Sequence, residues 1–313
     1  MNSRLVSLRQ QYEYLPKDFI ETSSGHILAL VHWGIEEGRL LASLRYRRGA
    51  SGGLEKLTTT TAQKELEGNA PHWLFRCPRR HTQLTGVPVQ EVVSHLRPEN
   101  DWLESSNSAE IAELSDVLGL SSKQAGVTGS FLVGANRSDS DIDLVVYGSE
   151  VMQSVRTSIR RLQNRDAASP LSESQWKETY SRRGCSLTFE EYCWHERRKF
   201  NKVMFKGRRV DVSCVSDPPG FLSHAFSKLG KQTLEATVTD DTRAFDMPAV
   251  YQIDHPTIDR IVCFTPTYAG QAVVGERVVA SGWLEEDSRQ QQQLLIGTSR
   301  EASGEYLKVE LGH

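Results

Sequence analysis

Short hydrophobic runs, broken by turn-like sequence, dominate the first hundred residues. The segments HILALVHW and RLLASLRYRR are rich in β-forming residues and lie on either side of such a turn, as in an antiparallel sheet. Residues 49–61 are rich in Gly, Ser and Thr, which is typical of a loop, and WLFRCP and VPVQEVVSHLRP predict a further strand and a short helix. We therefore expect residues 1–105 to form a β-rich N-terminal domain.

The apolar spacing becomes helical in the middle of the chain. Residues 108–118 and 149–164 repeat apolar positions every three or four residues, and TFEEYCWHERRK opens with a capping box formed by Thr188 and Glu191. The apolar strand DIDLVVYG precedes the second of these helices, and RRVDVSCV follows the last one after a Lys-Gly turn. The mixture predicts an α+β fold, with a central domain of mixed sheet and helices over residues 106–222.

The last third of the chain returns to β-type patterns. The segment FLSHAFSKLGKQTLEA predicts a helical linker over residues 223–248. Five short strands follow and predict a small, barrel-like β domain over residues 249–313, for which an oligonucleotide-binding type of barrel is one option. We interpret the aromatic residues of this tail as packing residues rather than as surfaces for stacking bases; they are Phe264, Tyr268, Trp283 and Tyr306.

Composition and charge exclude several classes of protein. The chain has 313 residues, 38% hydrophobic and 25% charged, which predicts a modular globular protein of two or three domains. We find no apolar run near the roughly 20 residues that span a bilayer and no signal peptide, so we expect a cytoplasmic protein without a membrane partner. The five cysteines never form a CxxC pair and are interpreted as packing residues.

The formal net charge of the chain is -3, and its positive charges are concentrated in short segments. The clusters RYRR, at residues 45–48, and RCPRRH, at residues 76–81, stand close in sequence to Tyr46, Trp73 and Phe75. Cations interleaved with aromatic rings suit a single-stranded nucleic acid, although the same residues also suit an ordinary solvated surface. A polyanionic partner is therefore expected to bind a patch of the surface.

One segment carries the pattern of an oxygen-ligand metal site. It runs GVTGSFLVGANRSDSDIDLVVY from Gly126 to Tyr147. Since alternate residues of a strand face the same side, Asp141 and Asp143 project together, away from the apolar side chains between them. Two neighbouring carboxylates repel each other unless a cation lies between them, and Mg²⁺ or Mn²⁺ prefers such oxygen ligands. A divalent metal is therefore implied.

Three further residues complete the candidate site. Asp211 lies in the apolar strand RRVDVSCV, where a carboxylate is unfavourable unless a charged partner meets it. Gly129 allows the backbone to approach a phosphate closely, and Ser130 offers a hydroxyl and a backbone N–H, which we expect at the N-terminus of a following helix.

Together these residues resemble the DNA polymerase β-type nucleotidyltransferase superfamily, which includes the CCA-adding and poly(A)-adding enzymes. The resemblance covers residues 108–216, about a third of the chain, and rests on GS, the later DID and a strand aspartate. It implies transfer of a nucleotide with two metal ions, Mg²⁺ or Mn²⁺. Asp141 and Asp143 would bind both ions, and Asp211 would bind the one that activates the acceptor hydroxyl.

The sequence departs from the polymerising members of that superfamily in two places. Those members often carry a basic residue where this chain has Val133. We therefore assign the triphosphate contacts to other cations, taken from Arg137, Arg197, Arg198, Lys199 and Lys202. In addition, the tail is β-rich where CCA-adding enzymes have a helical domain, so the flanking regions are more similar to stand-alone nucleotidyltransferases.

Three functions stay open at this point. The first is template-independent addition of a nucleoside monophosphate, from an NTP such as CTP or ATP, to the 3′-OH of a single-stranded RNA or oligonucleotide. The second keeps the transfer but changes the acceptor to a protein or a small molecule. The third is an inactive nucleotide-sensing or RNA-binding protein, for which three intact acidic residues have no evident use.

Overall fold

The computed structural model of the chain describes residues 4–49, 52–78, 82–100, 108–164, 168–298 and 302–310. Over these residues the chain is an α+β protein with three β-sheets. It divides into two compact units, residues 1–148 with 210–217 and residues 149–209 with 218–313. Within the described ranges, every helix is too short or too polar to cross a membrane.

The elements follow one another in mixed order along the chain. The helices are α1 (Arg4–Gln11), α2 (Thr59–Asn69), α3 (Ser108–Leu118), α4 (Ser149–Gln163), α5 (Glu173–Arg183) and α6 (Phe189–Lys199). The strands are β1 (Phe19–Thr22), β2 (His26–Leu30), β3 (Arg39–Arg48), β4 (Leu54–Lys56), β5 (Leu74–Cys77), β6 (Thr82–Pro88), β7 (Val92–Leu96), β8 (Ala125–Thr128), β9 (Ile142–Tyr147), β10 (Lys202–Phe205), β11 (Arg208–Val215), β12 (Phe226–Arg243), β13 (Ala249–Asp254), β14 (Ile258–Cys263), β15 (Arg277–Asp287), β16 (Gln292–Ile296) and β17 (Tyr306–Val309).

The N-terminal sheet of the first unit is antiparallel, as predicted, in the order β5-β6-β3-β2-β1-β7 with β4 on β3. Helix α2 covers one face, where Ala62 and Leu66 are buried in one apolar cluster with Leu28 and Leu40. The cap of α2 is Thr58, whose side chain accepts the Thr61 N–H at 3.1 Å. The expected loop over residues 49–61 is therefore wrong in part, because β4 and the first turn of α2 lie in it.

A second expectation in this sheet is also wrong. The segment VPVQEVVSHLRP was predicted to form a short helix, but it contains only a 3-10 turn, Val89–Glu91, before strand β7. Strand β7 pairs with the edge of β1, where Ile20 lies opposite His95. The β-branched pair Val92 and Val93 favours this extended state once a partner strand is present.

Helices α3, α4 and α6 confirm the predicted helical periodicity. Helix α4 buries Met152, Val155 and Ile159 along one stripe. Helix α6 starts with the predicted capping box, in which Thr188 N–H donates to Glu191 at 2.9 Å and Glu191 N–H donates to Thr188 at 3.2 Å.

The expected helical linker over residues 223–248 is wrong, because most of it forms the long strand β12. Leu234, Ala236 and Val238 are buried, whereas the residues between them are exposed, so the segment has a period of two. The five strands predicted beyond residue 249 are all present, as β13 to β17.

Strand β12 also links the strands of the second unit into a ring. It pairs with β13 at its C-terminal part and with β15 along its N-terminal part. Strand β13 pairs with β14, β14 runs parallel to β16, and β16 pairs with β15, so the pairings return to β12. One apolar cluster joins the buried residues of these strands to Trp176 of α5 and Tyr192 of α6.

Helix α6 holds the last strand, β17, through a buried histidine. The Nδ1 atom of His195 donates to the Glu191 carbonyl at 2.7 Å, so its Nε2 atom is free to accept the Val309 N–H at 3.0 Å. Burial lowers the pKa of His195 to about 4. A neutral imidazole is therefore part of the folded structure.

This histidine predicts a loss of stability at mildly acidic pH. His195 titrates at an ordinary value near 6.5 when exposed and at about 4 in the folded protein. Between these values the unfolded chain binds more protons, so the free energy of unfolding falls as the pH falls from 6.5 to 4, by about 3 kcal/mol in all. Urea unfolding at a series of pH values measures the change. His195→Gln should unfold more easily at pH 7.5 and should lose this part of the pH dependence; an unchanged dependence would contradict the assignment.

Candidate functional site

Strands β8, β9 and β11 pair in one sheet, which brings two predicted acids together. Strands β9 and β11 are parallel, and their register places Asp143 directly opposite Asp211. Both side chains are partly exposed, whereas Leu144 and Val212, the next residue of each strand, are buried. Since residues opposite one another in a sheet share a face, the two carboxylates lie on the same side of the sheet.

Asp141 lies one residue before β9 begins and is partly exposed. Ile142, which separates it from Asp143, is buried. The observed burial therefore follows the predicted alternation, with the acids on the polar side and the apolar residues in the core.

The Gly-Ser turn runs directly against one of these acids. Strand β8 is antiparallel to β9 and places Thr128 opposite Asp143, so Gly129 follows at the end of the strand. Gly129 has a φ of +70°, and a Cβ atom added there would lie 2.3 Å from Asp143 Oδ2. Only glycine both tolerates this backbone conformation and leaves room for the carboxylate.

Ser130 does not begin a helix, and this corrects our expectation. Residues 129–134 form consecutive turns in which the Ala135 N–H donates to the Ser130 carbonyl at 2.8 Å. Ser130 itself is partly exposed. Any anion site at this turn would therefore depend on local backbone N–H groups and the Ser130 hydroxyl, without a helix dipole.

The residues after Ser130 pack on the N-terminal sheet. Leu132 is buried in a cluster with Phe19 and Tyr46, and Val133 packs against the same cluster. Burial raises the pKa of Tyr46, and the charge of Asp143 raises it further, so this ring lies near the acidic pair. Residue 133 therefore lies beside apolar side chains, where a charged group would be unfavourable.

The same packing removes two aromatic rings from the expected nucleic-acid surface of the first unit. Tyr46 and Trp73 are buried and offer no face for stacking a base. Arg47 donates to Glu55 at 2.8 Å and to Glu65 at 2.7 Å, and Arg48 donates to Glu21 at 2.8 Å. The cations of the RYRR cluster are thus largely balanced within the unit. Arg79, Arg80 and His81 of the second cluster lie outside the described residues.

Two residues near the acidic pair escaped the sequence analysis. The hydroxyl of Thr128 donates to the Lys17 carbonyl at 2.8 Å, which places Lys17 beside the strand that pairs with Asp143. Lys17 has a φ of 76°, a conformation that non-glycine residues adopt only where neighbouring contacts impose it. No local sequence pattern predicts this contact, because Lys17 and Thr128 are far apart in sequence.

A charged network fixes the Lys17 segment. The Arg9 guanidinium donates to both oxygens of Asp18 at 2.7 Å and to both oxygens of Glu99 at 2.6 and 2.9 Å. Asp18 also accepts from the Leu15 N–H at 2.9 Å, and its own side chain is fully buried. Such bidentate pairs impose a definite geometry, so the backbone of residues 15–18 is held beside the Gly-Ser turn.

Of the basic residues assigned to the triphosphate, Arg137 belongs to the same unit as the three acids. It is exposed in the loop between the Gly-Ser turn and Asp141, and its N–H donates to Ser140 Oγ at 2.8 Å.

The other four belong to the second unit and differ among themselves. Arg197 is exposed. Arg198 donates to Glu276 at 2.5 Å, and its guanidinium carbon lies 4.4 Å from the centre of the Trp194 ring.

Lys199 and Lys202 do not fit the triphosphate role, which corrects that expectation. Lys199 is 1% exposed and donates to Glu196 at 2.5 Å and to the Thr267 carbonyl at 2.7 Å. Lys202 donates to the other oxygen of Glu196 at 2.5 Å. Both ammonium groups therefore balance a buried carboxylate of the second unit.

The donor set of the acidic face suits a hard divalent cation. It consists of carboxylate oxygens from Asp141, Asp143 and Asp211, and the Asp143 carboxylate occupies the space that a side chain at residue 129 would fill. Among the described residues, no three His, Cys, Asp or Glu side chains already converge as a preformed cluster. Carboxylate oxygens are the ligands that Mg²⁺ and Mn²⁺ prefer, and metal binding at this face stays a prediction.

Comparison with known proteins finds a similar chain, but that chain has no described activity. No protein-family model and no solved structure matches the sequence. The uncharacterized protein MJ1086 of Methanocaldococcus jannaschii is 29% identical over an alignment of 334 positions, which covers 94% of this chain and 98% of that protein. The similarity thus extends over nearly the whole of both chains.

Proposed function

We propose that the chain is a metal-dependent, template-independent nucleotidyltransferase. It would add a nucleoside monophosphate from an NTP to the 3′-OH of a single-stranded RNA or oligonucleotide and release pyrophosphate. The observation that carries the proposal is the pairing of Asp143 with Asp211 on parallel strands, with Gly129 against the first of them. These residues are the ones on which the resemblance to the DNA polymerase β-type superfamily rests.

The three acids would hold the divalent ions through their carboxylate oxygens. Asp143 and Asp211 are neighbours across the sheet, and Asp141 stands two residues from Asp143 on the same side. When bound, the ions would supply charge that stabilises the attacking and leaving oxygens of the transfer. The sheet contributes rigidity, since the buried residues between the acids anchor both strands.

The Gly-Ser turn would orient the triphosphate. Gly129, with a φ of +70°, turns the chain at the end of β8, and the backbone N–H groups of the turn would contact phosphate oxygens, with the Ser130 hydroxyl as a further donor. Arg137 stands exposed in the following loop and would add a positive charge to the same ligand.

The second unit would bind the acceptor. Its ring of strands from β12 to β16 supports a small barrel of the type that binds oligonucleotides, in which the strands offer an outer surface and the loops a rim. The acceptor would be positioned through its backbone and by stacking of its bases, so the transfer would need no template.

The test is incorporation of nucleotide by the purified full chain. Each α-labelled NTP is incubated with Mg²⁺ or Mn²⁺ and with single-stranded RNA or DNA primers, and the products are separated on a denaturing gel. We expect extended primers, loss of extension when EDTA removes the divalent ions, and recovery when Mg²⁺ is added in excess. The label should be sensitive to nuclease.

Two results would contradict the proposal in different ways. Nuclease-resistant label on protein or on a small molecule would keep the transfer but exclude an RNA acceptor. Nucleotide binding without transfer of label, in the presence of every divalent ion tried, would exclude the transferase itself.

A further inference from the structure

The outer face of strands β12 and β15 carries a tryptophan of β15 whose ring lies close to two lysines of β12. The Nζ atom of Lys228 lies 5.3 Å from the centre of the Trp283 ring, and that of Lys231 lies 5.8 Å from it. Trp283, which we interpreted as a packing residue of the core or its rim, is partly exposed.

Strand register explains the position of the three side chains. Lys231 is directly opposite Trp283, and Lys228 is opposite Glu285, two residues farther along β15. A bulge between Lys228 and Gly230 inserts one extra residue, Leu229, which is 54% exposed. The bulge keeps both lysines on the face of the indole instead of placing one of them on the opposite side.

These two lysines differ from other cations of the second unit. Arg198 is paired with Glu276, Arg277 with Glu235 and Glu310, and Lys308 with Glu191. Among the described residues, neither Lys228 nor Lys231 has a carboxylate within ion-pair distance. Their positive charge is therefore directed to solvent around an aromatic ring.

We propose that Trp283, Lys228 and Lys231 form a binding site for single-stranded nucleic acid. A base would stack on the exposed part of the indole, and the two ammonium groups would contact the phosphates on either side of it. The choice of single-stranded nucleic acid as the ligand rests on the proposed function, in which the acceptor strand binds to this unit. A duplex fits less well, because its bases are already stacked on one another, and an acidic peptide would make no use of the ring.

The test is equilibrium binding of a labelled, unstructured single-stranded RNA by fluorescence anisotropy, with the full chain. Trp283→Ala should weaken binding by between about fivefold and a hundredfold, and Trp283→Phe should restore most of it. Lys228→Gln and Lys231→Gln should each weaken binding and reduce the slope of log K against log salt by about 0.7. Lys308→Gln is the matched control, because it removes a lysine that is already paired and lies beside Tyr306.

The binding measurement tests this site, whereas the primer-extension gel tests the proposed function. Weaker binding in the Trp283 and lysine variants, with the Lys308 variant unchanged, supports the site whether or not the gel shows transfer. Equal affinity in all variants, no affinity of the wild type for single-stranded RNA, or tighter binding of an acidic peptide or a duplex overturns it. Primer extension by variants that bind like the wild type would leave the proposed function standing without this site.

Discussion

Asparagine in place of Asp211 is expected to lower nucleotide incorporation by roughly a thousandfold or more while the fold is kept. Asparagine has nearly the same size as aspartate but no negative charge, so it would hold a divalent ion poorly. Asp211 is partly exposed on β11, opposite Asp143, and its strand is anchored by the buried residues on either side of it. The substitution therefore changes the charge of the acidic face and little of its packing.

Primer extension measures the activity, and calorimetric titration with Mn²⁺ measures the ion binding that should weaken with it. The matched control is Asp139→Asn, because Asp139 is exposed in the loop before the paired acids. Both variants should melt close to the wild type. Full activity of the Asp211 variant would remove this residue from the site and the central support for two ions.

Glutamine in place of Glu196 is expected to destabilise the second unit by about 3–5 kcal/mol. The carboxylate of Glu196 is 3% exposed and accepts from Lys199 and Lys202, each at 2.5 Å. Burial alone would raise the pKa of Glu196, but the two lysine charges outweigh it and hold that pKa well below its usual range. Burial lowers the pKa of Lys199 to about 8 even with this partner present, so without Glu196 the folded chain would have to bury an ammonium without a counter-charge or release its proton, and either change costs free energy.

Urea unfolding at pH 7 with circular dichroism measures this loss. Glu173→Gln provides the comparison, because it removes the exposed pair with Lys177, in which both side chains are more than 60% exposed. Exposed pairs contribute little, so this control should unfold like the wild type. An equally small change in the Glu196 variant would show that the two lysines find other partners.

Local patterns predicted the parts of the fold that depend on neighbours in sequence. The capping box of Thr188 and Glu191 is made within one helical turn, so its residues are sufficient to indicate where α6 begins. Strand β12 was missed because its N-terminal half contains Gly230 and a bulge, which break the alternation of apolar positions. Its extended state depends on pairing with β13 and β15, and no local window contains that information.

Some features of the candidate site could likewise be predicted from neighbouring residues, and others could not. Asp141 and Asp143 could be placed on one face of a strand from their spacing alone, and the structure follows this alternation. The register of Asp143 with Asp211, the contact of Thr128 with Lys17 and the packing of Val133 on the Tyr46 cluster all join distant segments. Lys199 is unsuited to contact a triphosphate because it donates to Glu196 and Thr267, and these residues surround it only after folding.

The first unit is discontinuous in sequence, and this has a consequence for its synthesis. Residues 1–148 leave the ribosome before residues 210–217, which complete the same unit. At about 5–20 residues per second, the 61 intervening residues delay the missing strand by roughly 3 to 12 seconds. During that time the apolar edge of β9 lacks the parallel partner that will carry Asp211, and unpaired edges are prone to wrong association. A nascent chain halted before residue 210 should therefore be a preferred client of chaperones that bind exposed strands.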